Sequence, residues 1–157
     1  MKQFAIALLV ITLFVPVIVF GGAGRRDLFA VHAQSGCTNG SLTGNYGFTQ
    51  TGFFSFSEKG GGGYAPTADV GSLTFDGLGN FSASFTDSTN GKITTGLSAP
   101  GTYTVNSDCS GNLTIQNATS PGENVPYTFV LVEGGKEMMA ISTTSESTQT
   151  VTAKKEW

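Results

Sequence analysis

The sequence predicts an all-β fold: a single antiparallel meander barrel of about eight or nine strands, preceded by an N-terminal signal helix. Three observations carry this. Apolar residues recur at every second position in short runs, as where Leu73 and Phe75 alternate with Ser72 and Thr74, the period of a strand with one buried face. Turn residues punctuate these runs at intervals of about ten, and no stretch beyond Gln34 sustains a helical period. The connections are short, which forces neighbouring strands to run antiparallel. Eight such strands can close on themselves and remove both edges. A two-sheet sandwich is the alternative, because alternation alone suits either architecture.

Taken in order, Met1, Lys2 and Gln3 form a short basic start, and Phe4 to Phe20 is apolar apart from Thr12, with Pro16 as a break. Val31-His32-Ala33 places small residues at the −3 and −1 positions of a signal-peptidase site. Cleavage is expected after Ala33, giving residues 1–33 as signal peptide and 34–157 as the β domain, with Gly21-Gly22-Ala23 as a nearer alternative site. The apolar run is short for a membrane span and contains a proline. Arg25 and Arg26 follow it on the exported side, against the usual placement of positive charge. The domain is therefore expected to be secreted, or to reside in the periplasm or cell envelope, with no membrane span of its own.

The first strand opens at Tyr46 and Phe48 and continues through Phe53, Phe54 and Phe56. Glu58 to Pro66, with four consecutive glycines, is expected to be a loop or barrel lid. Leu73 and Phe75 define the next strand, and Asp76-Gly77-Leu78-Gly79-Asn80 turns the chain into Phe81, Ala83 and Phe85. Asn90-Gly91 is the strongest hairpin signal, since both residues tolerate positive φ. Ile93, Thr95 and Leu97 are expected on one face, followed by a turn at Ala99-Pro100-Gly101 and the strand of Tyr103 and Val105. Asp108 to Asn112 turns into Leu113 and Ile115. Ser120 to Asn124 turns into Tyr127, Phe129 and Leu131, which alternate with Val130 and Val132 and suggest a strand covered on both faces. Gly134-Gly135 leads to Met138–Ile141, and a last strand covers about Thr148 to Lys155.

From Gln34 onward the chain has no histidine and no arginine. That removes imidazole-activated nucleophiles, histidine metal ligands and guanidinium clamps for phosphate. The processed chain carries five lysines against ten acids, which excludes a basic nucleic-acid footprint. Its stability is expected to change little between about pH 5 and 8 through histidine ionisation. Cys37 and Cys109 are its only cysteines, and in an exported chain they are expected to form one disulfide.

Asp76 and Asn80 place oxygens four residues apart, but a calcium loop brings more carboxylates, so a hairpin turn with local backbone bonds is expected. Gly60 to Gly63 lacks the Lys-Ser/Thr and helix of a phosphate cradle. No metal or cofactor is expected. Asp69, Asp76, Asp87 and Asp108 read as strand-end or turn residues; only Glu58 and Asp69, flanking the glycine run, are expected to line a mouth. Asn39, Asn80, Asn112 and Asn117 each begin an Asn-x-Ser/Thr sequon. The candidate ligand-lining residues are Tyr46, Phe48, Phe53, Phe81, Phe85 and Phe129, with no catalytic residue assigned.

The segments Gly71–Asn80, Gly101–Asn106, Asp108–Gly111 and Phe129–Glu137 together resemble a family of small exported bacterial proteins of unknown function. The resemblance spans most of Ser41 to Lys154 and implies no activity or functional residue. The predicted architecture is similar to the lipocalin or allene-oxide-cyclase type of barrel, although Gly44-Asn45-Tyr46 stands where typical lipocalins carry Gly-x-Trp. Together these point to an exported, non-catalytic barrel binding a small apolar molecule. A structural or cell-surface protein acting through its outer β faces is the first alternative, and a cofactor-free cyclase or isomerase the second.

Overall fold

The computed structural model describes residues 36–58, 61–120, 122–145 and 147–157. The expected signal helix and the cleavage after Ala33 lie outside the described residues. Eight strands follow one another: β1 Thr43–Glu58, β2 Gly61–Asp76, β3 Asn80–Thr89, β4 Lys92–Val105, β5 Ser110–Gln116, β6 Asn124–Val132, β7 Glu137–Ser142 and β8 Ser147–Lys155. Short 3₁₀ turns occupy Asn39–Ser41 and Glu133–Gly135. Each strand pairs antiparallel with its sequence neighbour, and β8 returns to β1 from Tyr46 opposite Lys155 to Phe54 opposite Ser147. The sheet is thus the closed meander barrel that the alternation implied.

Closure gives every strand one inward parity. On β1 the inward residues include Tyr46, Phe48 and Gln50, which stand opposite Leu73, Gly71 and Asp69 of β2. On β3, Phe81, Ala83 and Phe85 face the same interior. One end of this interior is solid. Phe75 lies edge-on to both Tyr46 and Tyr103 at ring distances of 5.2 Å and is tilted against Phe81 at 5.3 Å. Offset and edge-to-face packing of this kind favours the ring quadrupoles beyond simple area burial. Two glycines admit the rings: a Cβ at Gly101 would meet the Phe81 ring, and one at Gly111 the Phe129 ring, each at 2.2 Å. Each ring therefore covers a neighbouring strand that has no side chain to interpose.

The segment before β1 closes this end. Leu42 is fully buried beneath the aromatic cluster. The Tyr103 hydroxyl donates to the Leu42 carbonyl at 2.9 Å, and the Val105 N–H donates to Asn39 Oδ1 at 2.8 Å. Tyr46 donates its hydroxyl proton to the Gly135 carbonyl. Burial of such polar tips requires partners, and each has one. The Cys37–Cys109 disulfide joins this segment to the turn before β5, with Cα atoms 4.9 Å apart.

Four local expectations are corrected. Ala99-Pro100-Gly101 is not a turn: it lies within β4, opposite Ala83, Ser82 and Phe81 of β3, so the segments on either side of it are one strand. The glycine-rich stretch is not an open loop from Glu58 to Pro66: β1 runs to Glu58 and β2 starts at Gly61, paired from Glu58 opposite Gly61 through Phe53 opposite Pro66. Glycine marks a turn when read alone, but it also serves in a strand where backbones approach closely. Ile93, Thr95 and Leu97 do not share a face. The register jumps between Phe85 opposite Leu97 and Asp87 opposite Thr94, with Gly96 at φ 69°, so a bulge reverses the parity of β4 and leaves Ile93 exposed. β6 is not covered on both faces, because Val130 stands 47% exposed opposite Met139.

The disulfide closes a sequence separation of 72 residues. By the chain-entropy relation, the Cys37→Ser, Cys109→Ser double variant should lose about 4 kcal/mol of unfolding free energy. Urea denaturation measures this loss, and an unchanged midpoint would count against the link as a stabilising element.

Candidate functional site

Beyond the packed end the barrel interior is hollow. A cavity of about 870 Å³ extends from Leu73, Phe81 and Met138 at its floor to Thr67, Thr89 and Ser147 towards its mouth. Its lower wall is apolar, with Phe48, Phe85, Leu97 and Leu113. One layer higher the same inward parity brings polar side chains together. Gln50 on β1 is opposite Asp69 on β2, and Asp69 is opposite Asp87 on β3.

These residues form a continuous network. The Tyr127 hydroxyl lies 3.1 Å from Gln50 Oε1 and 2.9 Å from Gln149 Oε1. Gln50 Nε2 donates to Asp69 Oδ2 at 2.7 Å. The hydroxyls of Thr67 and Thr89 donate to Asp87 Oδ1 at 3.1 and 2.9 Å. The remaining oxygen, Asp69 Oδ1, is buried and has no donor. Asp87 stands within hydrogen-bonding reach of the Asp69 carboxyl, so one proton held between the two acids supplies the missing donor. Burial, that hydrogen bond and the charge of Asp87 push the Asp69 pKa up to about 7. Tyr127 is pushed well above its ordinary value by burial and by the charge of Asp69. A carboxyl group titrating near neutrality can hold or release a proton at physiological pH, and such groups concentrate at functional sites.

The six residues expected to line a ligand site divide between two environments. Phe48, Phe81 and Phe85 line the cavity. Tyr46 and Phe129 belong to the buried core, Tyr46 beneath Phe75 and Phe129 over Gly111. Phe53 is half exposed, on the opposite parity from Phe54, which does line the cavity.

Asp69 and Asp87 are not the strand-end residues expected; both sit within strands and face inward. Glu58 is paired with Gly61 at the far end of β1, while Asp69 is paired with Gln50, so the two acids flanking the glycines are not neighbours. The signal that would have found Asp87 was parity, since it continues the series Phe81, Ala83, Phe85. Thr67, Gln50 and Tyr127 follow from the same rule on their own strands.

Asp76 has a different role. Its Oδ1 accepts N–H bonds from Leu78, Gly79 and Asn80 at 2.7, 3.0 and 2.9 Å, and the Asn80 amide donates to Oδ2 at 2.7 Å. These bonds, led by that of the Asn80 side chain, lower its pKa to about 2. The carboxylate is committed to the turn. Among the described residues, no group of three or more His, Cys, Asp or Glu side chains is placed to hold a metal ion.

Comparison with protein-family models, curated proteins and solved structures returns no match to this chain.

The two acids titrate with opposite consequences. Asp69 binds its proton more tightly in the fold than in the unfolded chain, so its contribution is full below the ordinary carboxylate range and is lost as pH rises through about 7. Asp76 contributes above that range and loses its contribution as pH falls towards about 2. The melting temperature should therefore decline from about pH 5 to pH 8 without any histidine. Asp69→Asn should flatten that decline while leaving the acid limb, and calorimetry across pH reads both.

Proposed function

We propose that this chain is an exported small-molecule-binding barrel whose ligand is amphipathic, with an apolar body towards the floor and a polar group at the Asp69 layer. The single observation that carries it is the hollow half of the barrel. About 870 Å³ falls within the roughly 300–1,000 Å³ of typical ligand sites, which are mostly apolar with a few convergent polar groups. The expected apolar ligand is refined accordingly: a wholly apolar molecule would strip water from Asp69, Asp87 and Gln50 without replacing its bonds. The lipocalin-type architecture supports the reading by analogy of fold, and the disulfide is consistent with an oxidising, exported destination.

Support for a structural or matrix role is weaker, because pairing of β1 with β8 closes the sheet along Tyr46–Phe54. A cofactor-free isomerase or cyclase draws support from one observation, the near-neutral Asp69 carboxyl facing the cavity.

A fluorescent apolar probe such as N-phenyl-1-naphthylamine should bind in a one-to-one ratio. Leu97→Trp and Ile115→Trp each fill the chamber from a different strand and should weaken probe binding about tenfold or more. Unchanged binding in both folded variants would place the probe elsewhere and remove the proposal.

A further inference from the structure

The chemistry of the cavity wall is one-sided. It includes Asp69, Asp87 and Glu123, and no Lys, Arg or His is among the described residues that line it. Two carboxyl groups directly opposite each other in a sheet repel when both are charged, and here they are also partly withdrawn from water. Gln50 donates to Asp69 Oδ2 and both threonines donate to Asp87 Oδ1, so three donors serve two of the pair's four oxygens, and the buried Asp69 Oδ1 is left to the proton that the two acids share. Below the pair, the wall changes to Phe48, Phe85 and Leu113. Leu73 and Asp69 are four residues apart on β2, a strand length of about 13 Å, so an apolar chain can reach the floor from a head group held at the acids.

We propose that the Asp69–Asp87 pair is the receptor for a protonated amine, and that the ligand of this barrel is an organic cation carrying an apolar tail. This rests on the cavity-binding function proposed above and names its ligand class. An ammonium group supplies both missing quantities at once: N–H donors for Asp69 Oδ1 and a positive charge between two acids. A metal ion fits less well. Calcium takes six to eight oxygen ligands, whereas Gln50 turns its amide nitrogen towards Asp69 and its oxygen towards Tyr127.

The groups that face Asp69 are Gln50 on β1, Asp87 on β3 and Tyr127 on β6, with Glu123 in the cavity wall ahead of β6. Of these, Asp69 carries the change of charge between pH 5 and 8. The amine must displace the proton that the pair holds at low pH, so its binding strengthens as pH rises from 5 to 8 and releases protons in the lower half of that range.

Isothermal titration of the disulfide-bonded protein with octylamine, octan-1-ol and octanoate at pH 8 tests the assignment. Octylamine should bind at least about tenfold more tightly than octanol, and octanoate more weakly than either. The Asp69→Asn, Asp87→Asn double variant should bring the amine-to-alcohol ratio close to one, with each single variant intermediate. Equal affinity for amine and alcohol, or a ratio unchanged in the double variant, overturns the amine site and leaves the cavity-binding function standing. Failure of all three ligands while N-phenyl-1-naphthylamine still binds also overturns it. Failure of that probe as well removes both.

Discussion

Pairing of β8 with β1 is the constraint from which the rest of the structure follows. Once the ribbon is closed, alternation along each strand becomes a division between a common interior and solvent. Phe, Tyr and Leu at one parity then meet in a single volume, while Thr and Ser at the other face water, as at Thr74, Ser82 and Thr102. An open sheet with the same sequence would leave β1 and β8 with unpaired backbone groups and expose half of the aromatic set.

The interior is used in two ways. At the end nearest Leu42, ring packing, the glycine gaps at Gly101 and Gly111 and the incoming 3₁₀ turn fill the middle of the barrel, leaving a smaller cleft of about 440 Å³ beside the disulfide. At the other end, smaller and polar residues at the same parity, including Thr67, Asp69 and Thr89, leave the volume unfilled. Stability is concentrated in the first half. The second half carries groups whose burial costs free energy, and the network from Tyr127 to Asp87 offsets only part of that cost. Asp69 Oδ1, buried with no donor but the proton shared with Asp87, is the plainest instance of that cost.

Much of the fold was legible because period two survives in the sequence without ambiguity, and because Asn90-Gly91 and Gly134-Gly135 are turns whose chemistry admits few alternatives. The bulge at Gly96 was not, since an extra residue in β4 leaves no mark until its partner strand is known. Gly61–Gly63 read as a loop because composition cannot distinguish a flexible segment from glycine held in a ladder. The acid pair was hidden for a related reason. Asp69 and Asp87 each carry the inward parity of their strand, but only register sets them opposite each other, and register is a property of two strands together. From Gln34 onward no imidazole is present, yet neutral-range titration returns through a carboxyl group displaced from its usual range.

The disulfide sits at the sealed base, the far side of the molecule from Thr67, Thr89 and the segment Asn117–Ser120. The covalent link and the cavity mouth consequently lie in opposite halves. Substitutions around the rim can reshape the opening of the vessel without touching the bolt that ties it below, which makes this architecture well suited to redesign.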